Sequence, residues 1–383
     1  MNRWAILASY SLLAACTQML WLSFAAIDTD AAMALHVDAG TVGDLAIVFP
    51  FVYIVLALPT GRWLDVRFAQ ALSAGAILTG AGALVRLVAP TSFGWQAVGM
   101  LVIAAGQPLV LNSITKMAAR YFPPGERATA ISIGTAALFV GILAAVLTAG
   151  PLFSAGGLPL LLAAQATPSV LAAALVIVTA RAKPAYPDDP SVSVSLRWLT
   201  RDRFMWVLAA LVFIGMGTYN AVATWLQPIL DHFGQAAAAG NLIAVLTFAG
   251  VLGAAVIPPA AASRDMRRSA LLIALIVTAA AFAAVALVHN VIWFGAWFFI
   301  EGLLLLACLP VVLDWSEVHA GPERQGAAVG FLMMAGNLGG VVLALITQAA
   351  VGNPYVALGV MAVAALAGIP VALRLPARQA HQH

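Results

Sequence analysis

Charge is what this sequence has least of. Only 9% of its 383 residues are Asp, Glu, Lys or Arg, against about 25% in ordinary soluble domains. A soluble fold of this length cannot cover its surface with fifteen acids and eighteen cations, so a soluble enzyme and a disordered chain are excluded. Lysine is nearly missing: there are two, Lys116 and Lys183. With a net charge of +3, the chain has no basic surface for nucleic acid. Cysteine is scarce as well. Cys16 and Cys308 lie in apolar runs and give neither a disulfide framework nor a metal-ligand spacing. No glycine-rich loop opens a helix with Lys and Ser or Thr, so direct ATP drive is unsupported. No nucleophile–base set appears, no cofactor is expected, and enzyme activity is the poorest fit.

What is abundant is apolar sequence, 63% of the chain. A membrane-spanning helix uses about 20 such residues. Runs and breakers predict twelve helices, roughly over 4–28, 41–61, 69–89, 93–120, 127–151, 157–180, 204–231, 237–260, 269–288, 291–318, 325–350 and 355–375. The fold class predicted is an all-α membrane protein with twelve transmembrane helices in two six-helix, pseudo-symmetric halves. Residues 1–180 form the first half and 204–383 the second. Between them, 181–203 holds Pro184, Pro187, Asp188, Asp189 and Pro190 and reads as a cytoplasmic linker. Near the start, Arg3, an apolar run and Leu13-Ala14-Ala15-Cys16 have the look of a lipoprotein signal. The apolar stretch runs on to Ile27, which places Cys16 inside the first helix.

Charge placement predicts orientation. With the N-terminus inside, every Lys and Arg except Arg86 falls on a cytoplasmic segment. Asp28, Asp30, Asp38, Asp44 and Asp231 fall near the outside. This is a positive-inside pattern, and it suits a bacterial inner membrane with both termini cytoplasmic.

The halves repeat weakly. Pro124-Gly125-Glu126-Arg127 precedes the fifth helix and Gly321-Pro322-Glu323-Arg324 the eleventh. Trp21-Leu22 has a counterpart in Trp225-Leu226, and Asp65 in Asp265. Half-length repeats of this kind mark secondary transporters, which bind substrate near the midplane.

Gly61-Arg62-Trp63-Leu64-Asp65-Val66-Arg67, placed in the loop after helix two, resembles the loop signature of the major facilitator superfamily. The resemblance implies a cytoplasmic latch from Gly61, Asp65 and Arg67 that stabilises an outward-open state. Asp314 and Arg324 are the matching candidates in the second half. Further segments are similar to the haem- and choline-transporter branch that includes the feline leukaemia virus subgroup C receptor. They are 17–27 with Trp21, 106–127 with Gln107, Ser132-Ile133-Gly134, 217–226, and 309–326 with Leu309-Pro310 and Asp314. In that branch a tryptophan and a tyrosine embrace an ammonium and glutamines complete the cage, formed by helices one, five, seven and eleven. Trp21 matches the tryptophan. The tyrosine position falls on Asn220, with Tyr219 beside it, and the two glutamine positions fall on Phe139 and Asn337. These departures leave the identity of the substrate open.

Helix spacing selects overlapping residues. Gln18, Trp21, Ala25 and Asp28 share one face of helix one, and Asn220, Thr224 and Gln227 form a stripe on helix seven. Polar groups inside a span face other helices or a water-filled cavity. Each amide serves either as cavity lining or as interhelical glue, and Trp21, read as deep within its helix, either touches ligand or packs. Glu301, about ten residues into helix ten, is the sharpest candidate for proton or charge coupling, against a neutral structural Glu. Asp28 and Asp30 are an outer vestibule or a wetted helix end. Arg86 pairs with one of them or snorkels to headgroups.

The expected function is a secondary active or facilitative carrier of a small organic solute, an amine or other cation being one option and proton coupling another, working by alternating access as a monomer in the lipid bilayer. The alternatives are a multidrug exporter of the same fold and a membrane receptor that does not transport.

Overall fold

The computed structural model describes residues 2–187, 196–321 and 323–377. Asp188, Asp189 and Pro190 of the linker, Pro322 of the repeat and Arg378 lie outside the described residues. Helix caps are written into the sequence. Asn2, Asp38, Asp202, Asn290 and Asn353 each accept a backbone N–H in the first turn of the helix that follows, satisfying donors that have no intrahelical partner.

Thirteen α-helices result among the described residues: α1 Arg3–Trp21, α2 Asp28–Leu35, α3 Ala39–Val85, α4 Phe93–Leu111, α5 Ile114–Tyr121, α6 Pro124–Thr179, α7 Arg203–Asp231, α8 Ala239–Ser263, α9 Arg267–Leu287, α10 Val291–Leu305, α11 Cys308–Ala320, α12 Gln325–Ala350 and α13 Pro354–Ala372. Among the described residues, ten stretches are long and apolar enough to cross a bilayer. Two of these, Thr41–Val85 with 45 residues and Pro124–Thr179 with 56, are long enough for two crossings each, which makes twelve. The bends have identifiable causes. α3 breaks at Arg67 (φ −142°, ψ 62°). α6 breaks at Gly156-Gly157, where Gly157 takes φ +63°, a conformation open to glycine and costly for residues with a Cβ.

Two boundaries differ from those predicted. The first helix stops at Trp21 rather than continuing to Asp28; residues 22–26 form turns and α2 follows. Asp28 and Asp30 lie in the first turn of α2, where acids complement the helix dipole. The Gly61–Arg67 segment is the end of the first leg of α3, not a loop, with Arg67 as its single non-helical residue.

The described chain divides into two compact units. The first holds residues 1–130, 137–194 and 320–330, within their described parts, and the second 131–136, 195–319 and 331–383 likewise. In the first, α3 packs on α4, and both pack on α1. In the second, α10 packs on α8, and α13 on α9 and α7. Glycine sets the closest approaches. A Cβ on Gly141 would collide with the backbone of Ala15. In the second unit, Gly302 meets the Leu246 backbone and Gly253 that of Leu303, so α8 and α10 touch main chain to main chain. We expect Gly302→Val to lower the melting temperature of the detergent-purified protein, at a cost of about 1–3 kcal/mol or more. Gly43→Ala, where nothing lies within 4 Å of the added carbon, should leave it unchanged.

Candidate functional site

The first unit places Asp65 just before the α3 bend, buried beside the start of α12. Its Oδ1 accepts from Gly326 N at 2.7 Å and its Oδ2 from Ala327 N at 2.8 Å. The carboxylate thus caps α12 with both oxygens. Lys116, wholly buried, donates to the Asp65 carbonyl at 3.0 Å and lies 3.5 Å from Oδ1. Gly61 makes this possible, because a Cβ there would strike the Gly326 backbone. The cation beside the carboxylate is Lys116. Arg67 is the exposed residue of the bend itself, and Lys116 on α5 takes the inner position.

In the second unit, Asp314 accepts from Arg267 Nε at 2.6 Å. Arg267 opens α9 and also stands 3.8 Å from Asp265. Arg267 is buried with Asp314, so a charge-assisted bond replaces the water each has lost.

Arg86 neither snorkels nor pairs with Asp28 or Asp30. It is 1% exposed. Its Nε donates to Gln96 Oε1 and its Nη1 to Ser23 Oγ, both at 2.9 Å, and the guanidinium lies 5.0 Å from the centre of the Phe24 ring. Gln96 returns a bond to the Arg86 carbonyl, and Ser23 also donates to Gln165. Neutral acceptors and a ring face hold this cation. Asp28 and Asp30 are exposed, and Asp28 accepts from Thr29 N.

Among the substrate candidates of the first unit, Trp21 ends α1 instead of lying deep within it. Its indole N–H donates to Ala46 O at 2.9 Å, and its ring lies 6.3 Å from that of Phe49. Only the ring face is left for a ligand. Gln18, Gln107 and Phe139 are buried. Gln18 Oε1 and Gln107 Nε2 have no partner among the described residues.

In the second unit, α7 and α12 run together through glycine. Gly217 meets Gly339 and Leu343, and Gly340 lies against the Asn220 side chain. Asn220 and Asn337 do the same thing: each donates its amide N–H to the carbonyl four residues back in its own helix, at 2.8 Å. Each carbonyl oxygen is left without a partner among the described residues, and both side chains are partly exposed. Thr224 and Gln227 are exposed on α7. Thr247 donates to Ile243 O, so Tyr219 donates its hydroxyl to Thr247 Oγ1 at 3.3 Å. Thr247 follows Leu246, whose carbonyl faces Gly302, the neighbour of Glu301. Glu301 itself is 0% exposed, and neither carboxyl oxygen has a partner among the described residues.

One buried polar residue escaped the sequence reading. Asn112 sits between α4 and α5, where it accepts from Tyr53 Oη at 2.6 Å and donates to Ala57 O at 3.0 Å. Its only signal is the Asn112-Ser113 pair inside an apolar run. For the Asp65 cluster, Asp65→Ala removes two capping bonds and leaves the buried Lys116 ammonium without its carboxylate, at a cost of about 3–5 kcal/mol. Asp65→Asn keeps one acceptor and should cost less, whereas Arg67→Gln should stay within about 0.5 kcal/mol of the parent. Melting temperatures of the three purified variants check this ranking.

The model of the Major Facilitator Superfamily matches residues 6–344. Solute carrier family 49 member A3 of Xenopus tropicalis is 26% identical over 91% of this chain and 77% of its own length. The human choline/ethanolamine transporter FLVCR2 is 24% identical over 67% of this chain and 53% of its own length, so the match spans about half of that protein. The human organic anion transporter MFSD10 shares the fold, with a TM-score of 0.79 at 10% identity, covering 97% of this chain and all of that one. The twelve spans and the matching family model agree on one kind of molecule, a membrane transporter and not an enzyme: the chain belongs to the Major Facilitator Superfamily.

Proposed function

We propose that this chain carries a small organic amine or related cation across a membrane by alternating access, with Glu301 as its charge-coupling group. The observation that carries the reading is the pair of amides on α7 and α12. Asn220 and Asn337 each commit one amide N–H to their own helix, which leaves a carbonyl oxygen and a second N–H on each partly open. The two open carbonyl oxygens suit a ligand that brings N–H groups and positive charge. The Trp21 ring face could add about 0.5–2 kcal/mol to such a cation. The similarity to the FLVCR2 proteins, choline/ethanolamine transporters, supports the same class of cargo.

Glu301 fits the coupling role because its carboxyl is buried in a span with no protein donor among the described residues. Such a group is available to a proton or to the cargo itself. Tyr219, Thr247 and the glycine crossing at Leu246 form a physical line from the α7 stripe to its neighbour Gly302. Gln18, Gln107, Phe139, Thr224 and Gln227 are proposed as further lining. Gly61, Asp65, Arg67, Asp314 and Arg324 are proposed as the gating parts, with Lys116 and Arg267 holding the two carboxylates. The proposed setting is a bacterial inner membrane with both termini cytoplasmic and the chain working as a monomer.

The test is uptake of labelled choline and ethanolamine into proteoliposomes, beside an organic anion and a sugar, together with thermal stabilisation by each. A ligand at a hundredfold excess over its Kd stabilises by about 2.7 kcal/mol. We expect uptake of the amines only. Asn220→Ala and Asn337→Ala should each weaken apparent affinity by about tenfold, corresponding to the loss of one charge-assisted bond of about 1.4 kcal/mol. Glu301→Gln should abolish uptake driven by an imposed ion gradient. Preference for the anion sinks the cation reading, broad uptake of unrelated drugs favours an exporter, and binding without flux favours a receptor.

A further inference from the structure

The second unit has a pocket that the transport reading does not use. It lies where α7 begins and α13 ends, helices that pack against each other, and its volume is about 850 Å³. Arg201, Arg203 and Arg374 line it, and Trp206, Val207 and Val371 are among its apolar walls. No acid lines it. The nearby Asp202 is already engaged, with one oxygen capping Met205 N and the other 2.7 Å from His319. All three arginines are exposed, and none has a carboxylate partner among the described residues.

The surroundings are those of a bilayer boundary. Arg203 is the first residue of the α7 span, and Arg374 follows the last turn of α13. Trp206 is 53% exposed and stands edge-on to Phe331, as tryptophans do at headgroup depth. Val363, Leu366 and Leu373 are exposed at helical spacing along the face of α13 that Arg374 continues. A pocket with three guanidinium groups at its rim and an apolar floor demands a ligand that is anionic at one end and apolar at the other. A free hydrated anion would leave the floor unfilled.

We propose that this pocket binds the headgroup of an anionic phospholipid, with Arg201, Arg203 and Arg374 on its phosphate and its acyl chains along the exposed face of α13. Guanidinium matches phosphate geometry with two parallel bonds, and clustered cations at a helix end draw anionic lipid. The site makes the protein's stability depend on the lipid around it.

The test uses the full-length chain in vesicles of phosphatidylcholine alone or with phosphatidylglycerol, and reads lipid selectivity from spin-labelled lipids and stability from the melting temperature. We expect labelled phosphatidylglycerol to be preferred over phosphatidylcholine by about tenfold or more at low salt. The triple variant R201Q/R203Q/R374Q should lose that preference while melting as the parent does in phosphatidylcholine. A second variant, R62Q/R181Q/R264Q, removes the same charge at exposed sites elsewhere and should keep the preference. The proposal is overturned if both variants lose it equally, if neither does, or if inorganic phosphate in phosphatidylcholine vesicles stabilises the parent as much as phosphatidylglycerol.

Discussion

A polar group placed inside a bilayer must find its partner within the protein, and that constraint shapes most of what is distinctive here. The chain has few charges, and those buried in its spans are nearly all answered. Asp65 takes two backbone donors and Lys116. Asp314 takes Arg267. Arg86 is held by Gln96, Ser23 and the Phe24 ring. Each solution draws on residues far apart in sequence, so each pins helices to one another. The charges therefore fix helix register, while the apolar majority secures insertion.

Glycine supplies the complementary constraint. Between apolar helices in lipid there is little hydrophobic drive, so close packing has to provide the attraction. Gly61 against Gly326, Gly141 against Ala15, and Gly253 and Gly302 against Leu303 and Leu246 let backbones touch. At Gly61 and Gly326 this closeness also has a chemical result. It brings the first N–H groups of α12 within reach of Asp65, which a pair of larger residues would hold away.

The twelve spans were legible because hydropathy and length decide them. What escaped the sequence follows from the same uniformity. Residues 22–27 are almost as apolar as the helix before them, so composition gives no sign that α1 ends at Trp21. Arg86 stood out as the one cation against the charge rule, yet its partners are neutral and leave no mark in a charge pattern. Asp65 was picked out by its motif, but the motif does not contain its cation. Lys116 is 51 residues away, and only the meeting of α3 with α5 reveals it. Asn220 and Asn337 were found by position. That each turns one amide N–H back onto its own helix and leaves its carbonyl oxygen open could not be read without coordinates.

Glu301 departs from the pattern set by the other buried charges, and its surroundings explain why. It stands beside the tightest helix crossing of the second unit, where Gly302 and Gly253 bring α8 and α10 into main-chain contact. Close packing of that kind is bought with side chains too small to carry a donor. The carbonyls at the crossing, those of Leu246 and Leu303, are acceptors and cannot serve an ionised carboxylate, which needs a donor or a cation. Asp65 found its donors at a helix start and Asp314 at an arginine, and a crossing in mid-helix offers neither. The geometry that packs α8 on α10 therefore leaves both Glu301 carboxyl oxygens without a partner among the described residues, which is the opening its proposed coupling role requires.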